Sequence, residues 1–164
     1  MRIKAFSQTI VATAAILAAG MTYALTIPMY GTDGNKKLGT VEAKDSKQGL
    51  KLIVNLQELP AGSHGFHVHE MASCAEHGMD AGMHFDPKKT HKHLGPNKNG
   101  HLGDLPVLVV DKSGAVKTTL VAPRLTVAML KDRALMIHAG GDNYSDTPKK
   151  DGGGGERIAC GVIK

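Results

Sequence analysis

The sequence contains no tryptophan and only three Phe and three Tyr among 164 residues, so Val, Leu, Ile and Met must fill any core. Beyond its first 24 residues it also lacks a run approaching 18 apolar residues, which excludes a helical membrane span from the mature chain. No dense Lys/Arg stripe interleaved with aromatics occurs, and this argues against nucleic acid as a partner. No segment sustains a helical period beyond about two turns, so an all-α fold is excluded. Only two cysteines are present, Cys74 and Cys160, and neither lies near the N-terminus where a lipid-modified cysteine would stand.

What is present begins with an address. Arg2 and Lys4 form a short basic head, Ile10 to Ala19 is apolar, and Thr22-Tyr23-Ala24 offers small residues for a signal peptidase. Residues 1–24 are therefore expected to be a cleaved secretory signal peptide, leaving a single domain at 25–164. Its 18 basic and 15 acidic residues give a net charge of +3, a mild preference for small anions and no more. In an oxidising compartment, Cys74 and Cys160 are expected to pair.

The mature chain reads as strands. Leu50, Leu52, Val54 and Leu56 alternate with polar neighbours, the period of a half-buried strand. Leu105–Val110, Ala115–Val121, Leu135–His138 and Arg157–Ile163 are further strand candidates. Turn residues at 31–34, 45–49, 60–62 and 111–114 punctuate them. Short strands at this spacing predict a sandwich or barrel. Two stretches do not read as strands: 70–103, rich in His, Lys, Gly, Asn and Met, and 139–155, which holds the run Gly152 to Gly155. Loops this long in a small domain are functional or disordered, and the histidines favour function.

All nine histidines lie between His64 and His138. In GFHVHE, His67 and His69 are two apart on an extended chain, so both imidazoles face one side while Phe66 and Val68 face the other. His84, His93, His101, Asp104 and His138 complete a set of seven potential ligands. In HLGD, His101 and Asp104 can turn toward one cation. Three nitrogens and one carboxylate oxygen suit zinc. Three or four imidazoles with an open position suit copper. Seven side chains serving two four-coordinate ions require one to be shared, and an imidazolate has the two nitrogens to do it.

GFHVHE (65–70), AGMHFDP (81–87), KHLGP (92–96), GHLGDLP (100–106), LMIHAGGDNYSD (135–146) and GGGGERIACGVI (152–163), in this order, resemble the copper–zinc superoxide dismutase family. The nine residues between Cys74 and His84, and the compact glycine-ended loop after His138, resemble its bacterial exported branch. Asp86 stands where animal members often carry Asn. The resemblance implies an all-β fold, an antiparallel Greek-key β-barrel of about eight strands with two long functional loops. It also implies an enzyme that disproportionates superoxide to dioxygen and hydrogen peroxide with one copper and one zinc ion, in the periplasm, as a monomer or homodimer. Copper would be held by His67, His69, His84 and His138, and zinc by His84, His93, His101 and Asp104. In the family, the bridge at His84 takes a proton during turnover. Asp142 would hydrogen-bond the outer nitrogens of His67 and His93, Arg157 would receive the anion, and Cys74 and Cys160 would form the disulfide. His91 competes with His93 for zinc, and the KHLGP setting favours His93.

The remaining histidines, His64, His77 and His91, are expected to be solvated loop residues. Met71, His77, Met79 and Met83 crowd one loop; they either pack beneath it or offer Cu(I) a transient loading site. Lys88, Lys89, Lys149 and Lys150 either help to steer the anion or simply solvate the surface. A domain of the same type that only stores or delivers metal is the competing reading; it could dispense with the bridge or with Arg157, and both are present.

Overall fold

Alternating buried and exposed side chains set the strands of the computed structural model, which describes residues 24–34 and 36–164. The expected signal peptide lies outside the described residues except for Ala24. No helix among the described residues is long and apolar enough to cross a membrane. The strands are β1 (Leu25–Gly31), β2 (Lys37–Ser46), β3 (Gly49–Leu56), β4 (Gly62–His64), β5 (Phe66–His69), β6 (Leu108–Val110), β7 (Val116–Ala122), β8 (Arg133–His138) and β9 (Arg157–Ile163). That is nine strands among the described residues where about eight were expected, with the all-β class as expected.

Seven strands form one antiparallel sheet in the order β5-β8-β9-β1-β2-β3-β7, and β4 pairs with β6 in a small second sheet. The chain leaves β7 at one edge of the large sheet and re-enters as β8 beside β5 near the other, a Greek-key crossover. β4 runs directly into β5, and β6 is followed by β7, so the small sheet ties the two edges together.

β3 follows its sequence pattern: Leu50, Leu52, Val54 and Leu56 are all buried. The strand expected over Leu105–Val110 is shorter than its apolar run. Pro106 has no N–H for a ladder, and pairing begins only at Leu108. β1 contains Pro28, which weakens its pattern in the sequence; the strand tolerates it because its pairing with β9 is confined to Tyr30 and Gly31. The core gathers Ile27, Leu52, Phe66, Val68, Leu105, Leu135 and Ile137, all essentially inaccessible to solvent. Cys74 and Cys160 are disulfide-bonded with Cα atoms 5.8 Å apart, tying the first long loop to the last strand.

Candidate metal centre

β5 carries two chemistries on four residues. Phe66 and Val68 enter the hydrophobic core, while His67 and His69, equally buried, point to the opposite side. On one flank β5 pairs with β8. On the other, the first long loop folds back as a partial strand: Val68 N–H donates to Gly103, Phe85 N–H to Val68, and Gly103 N–H to Phe85, each at 2.8 Å. This lays Asp104 opposite His67 and His84 opposite His69. Gly103 is required at this approach, since a Cβ there would lie 2.2 Å from the Val68 carbonyl oxygen. A register shift between Ile137 and His138 in the β8–β9 ladder marks the point where His138 turns in.

The result is a buried quartet of ring nitrogens from His67, His69, His84 and His138, adjoined by a second set around Asp104. In the first set, hydrogen bonds fix which nitrogen of each ring carries a proton. His69 Nδ1–H donates to the Gly82 carbonyl at 3.0 Å and His138 Nδ1–H to the Gly155 carbonyl at 3.1 Å. Their Nε2 lone pairs consequently face each other at 3.4 Å. His67 Nε2–H donates to Asp142 Oδ2 at 2.7 Å, which leaves its buried Nδ1 with no partner. Burial lowers the pKa of His67 to about 3 and of His138 to about 4, and lowers that of His69 too, with charge on His84 adding to the effect. Neutral rings whose lone pairs converge without a proton between them are a cation site, and imidazole nitrogen suits copper.

The second set is organised differently. Nδ1 of His93, His84 and His101 lie 3.0, 3.2 and 3.4 Å from a single oxygen, Asp104 Oδ1. The other oxygen of Asp104 accepts from the N–H groups of Leu94 and Gly95. Nδ1 of His93 and of His101 are buried without a well-formed hydrogen bond. Burial alone would raise the pKa of Asp104, but the three imidazoles outweigh it and hold the carboxyl well below the usual carboxylate range. Burial would likewise lower His93, yet Asp104 and Asp142 flank it and raise its pKa to about 10. The negative charge that favours a proton on His93 would equally favour a dication there, and three nitrogens with one carboxylate suit zinc.

His84 belongs to both sets, and so by proximity does His67. The two are not equivalent. His67 has committed one nitrogen to Asp142 and keeps one free, whereas His84 has its Nδ1 on the Asp104 side and its Nε2 left for the quartet. Asp142 binds the two sets from behind: Oδ2 accepts from His67 Nε2 and Oδ1 from His93 Nε2, both at 2.7 Å. Gly152 makes room for it, since a Cβ there would stand 2.2 Å from Asp142 Oδ1.

All seven expected ligands and Asp142 are therefore brought together; His93 is fully buried beside Asp104, whereas His91 is exposed. Arg157 lines a cavity of about 250 Å³ with His84 and His138. Of the four lysines considered, Lys150 lines this cavity and Lys89 an adjoining one; Lys88 and Lys149 line neither. His77 is exposed, as expected. His64 is a correction: it is buried, with Nδ1 2.8 Å from the carbonyl oxygen of His138 and Nε2 2.8 Å from that of Pro60. Its two carbonyl partners replace the solvent it was expected to meet, and they tie β4 to the end of β8.

Two further supports went unread in the sequence. Arg124 donates to the carbonyl oxygens of Pro96 at 3.0 Å, Gly100 at 3.3 Å and His101 at 2.5 Å, gathering the loop that carries His93 and His101. Asp146 accepts from the His93 N–H at 2.9 Å. Neither stands in a pattern that distinguishes it from a surface charge.

The family model for copper/zinc superoxide dismutase (SODC) matches residues 37–163. A superoxide dismutase [Cu-Zn] of Legionella pneumophila is 49% identical over 153 residues, covering 91% of this chain and 93% of its own. Among solved structures, the Cu/Zn superoxide dismutase of Brucella abortus matches with a TM-score of 0.82 at 47% identity, covering 87% of this chain and 100% of its own. The monomeric copper, zinc superoxide dismutase of Salmonella enterica matches with a TM-score of 0.75 at 46% identity over the same shares.

Proposed function

From the premise that the chain belongs to the copper/zinc superoxide dismutase family, we propose that His67, His69, His84 and His138 hold copper, and that His84, His93, His101 and Asp104 hold zinc. The observation that carries this assignment is His84, the one ring with a nitrogen available to each set. The enzyme is a superoxide dismutase. Bound copper supplies the one-electron couple by which two superoxide anions and two protons become dioxygen and hydrogen peroxide, while zinc supplies a fixed dication with no second oxidation state.

The chain's own residues do the rest. Arg157, with its permanent charge, stands in the wall of the cavity above His84 and His138, where it attracts and orients a small anion. Lys150 adds positive charge to the same wall. His84 Nε2, facing the quartet, would be the atom to hold a proton for the peroxide product, while its Nδ1 lies on the Asp104 side. Asp142 holds His67 and His93 in the tautomers that turn their Nδ1 atoms inward.

The N-terminal 24 residues direct export, and the mature domain works in the periplasm. The bacterial relatives and a disulfide of the kind that persists in oxidising compartments support this reading. A mature N-terminus at Leu25 in the periplasmic fraction is its test.

Metal content per chain, with an electronic spectrum of the oxidised protein, tests the ligand assignment. One copper and one zinc are expected in the wild type, with a bridge signature that His84→Ala abolishes along with most of the rate. An unchanged spectrum and rate in His84→Ala would sink the assignment.

A further inference from the structure

Exposed large apolar side chains among the described residues are few, and three of them are methionines of one loop: Met71 at 55%, Met79 at 63% and Met83 at 49% exposure. Met29 and Met136, by contrast, are fully buried. Packing beneath the loop, the ordinary use of methionine, therefore does not account for Met79 and Met83.

Their position narrows the question. Both line the cavity of about 250 Å³ that opens onto His84 and His138. Met83 immediately precedes His84 in the chain. Met79 also lines the neighbouring cavity together with His77 and Glu156, so the donors run inward from His77 past Met79 and Met83 to the quartet. The loop is held there by Arg157, which donates to the carbonyl oxygens of Gly78, Met79 and Gly82. The disulfide of Cys74 anchors its beginning. Two thioethers at the mouth of a histidine site are thus placed by a fixed backbone.

We propose that Met79 and Met83 form an outer Cu(I)-binding site at the mouth of the copper cavity, through which copper passes to His69, His84 and His138. Thioether sulfur prefers the soft monovalent ion over zinc or calcium. The charges along the cavity do not forbid it, because Arg157 and Lys150 are offset by Asp151 and Glu156 in the same wall. Copper moves inward by ligand exchange alone, from sulfur to ring nitrogen, with no change of oxidation state. The proposal rests on the assignment of copper to the quartet and adds an entry route to it.

The test uses zinc-loaded, copper-free protein under anaerobic conditions, with Cu(I) supplied as its bathocuproine disulfonate complex. Loss of the chelate's absorbance gives the transfer rate, and metal analysis gives the final loading. In the Met79→Leu/Met83→Leu double variant the final copper content is expected to equal that of the wild type, while transfer slows roughly 10-fold, at the low end of what loss of a supporting ligand costs a metal site. Met71→Leu, which leaves the cavity wall intact, is expected to transfer at the wild-type rate. A direct readout comes from protein labelled at the methionine methyl carbons: Ag(I), a redox-inert stand-in for Cu(I), should shift the Met79 and Met83 signals and leave Met129 unmoved. Equal transfer rates in wild type and double variant, or unmoved Met79 and Met83 signals, would overturn the outer site. A wild type that takes up no copper at all would overturn the quartet assignment and this route with it.

Discussion

Arg157 and His69 meet on one atom: the carbonyl oxygen of Gly82 accepts from the Arg157 guanidinium at 2.6 Å and from His69 Nδ1 at 3.0 Å. The residue proposed to receive the anion thereby also fixes the loop carbonyl that sets the tautomer of a proposed copper ligand. Arg157→Lys keeps the charge but cannot span the carbonyls of Gly78 and Gly82 with a planar fork. We expect it to lower the rate, and to raise hydrogen exchange across residues 76–82, at a stability cost of about 1.5–3 kcal/mol for hydrogen bonds from a charged donor. Unchanged exchange in that segment would show that the carbonyl contacts carry no weight.

Metal uptake should release protons unevenly. The His93 pKa of about 10 lies above pH 7.5, so the ring is an imidazolium in the metal-free protein, and a zinc ligand must be neutral. His67 and His138, lowered to about 3 and about 4, are already neutral at that pH. Zinc binding at pH 7.5 is therefore expected to release the His93 proton, whereas copper binding at His67 and His138 releases none from these two rings. Calorimetry in buffers of different ionisation enthalpy measures the count; zinc binding without proton release would contradict the electrostatics of the Asp104 cluster.

Asp142 links the two sets, and its loss should be felt by both. Asp142→Asn can accept one of the two imidazole hydrogen bonds through its single oxygen but presents an amide to the other. Metal affinity is expected to fall by about 10- to 100-fold, the usual cost of losing an outer partner of a ligating histidine. Gly152→Ala should reproduce much of this without touching a ligand. Its Cβ would stand 2.2 Å from Asp142 Oδ1 and 2.7 Å from His93 Nε2, at a backbone φ of +78° that disfavours alanine in any case. Competition titrations with chelators read both variants.

Arg124 offers a separable effect. Its contacts all fall on the loop carrying His93 and His101, away from the copper quartet. Arg124→Gln is expected to weaken zinc binding and speed zinc loss into a chelator, leaving copper affinity within about 2-fold, below the 1.4 kcal/mol that a tenfold change represents. Equal losses of both metals would mean that Arg124 supports the fold in general.

The disulfide closes a separation of 86 residues, and on the chain-entropy account it stabilises the fold by up to about 4–5 kcal/mol. Replacing both cysteines by serine should lower the denaturant midpoint accordingly. It should also loosen the loop of Met79 and Met83, since β9 then lets go of Cys74. An unaltered midpoint would place the stabilisation elsewhere.

The order of motifs by itself determined the class of this protein and its candidate donors. A strand period of two puts His67 and His69 on one side whatever the rest of the chain does, and HLGD keeps His101 and Asp104 within reach of one ion. Those are local consequences of backbone geometry, so a linear reading reaches them. Pairing partners across the fold are different. That His64 is buried between the carbonyls of His138 and Pro60, and that Arg124 gathers the loop of His93 and His101, depend on which edge a loop folds back upon. The exposed placing of Met79 and Met83 at the cavity mouth is of the same kind. Composition allowed either packing or exposure, and only the backbone contacts of Arg157 with that loop decided between them, because a side chain's surroundings are set by strand neighbours distant in sequence.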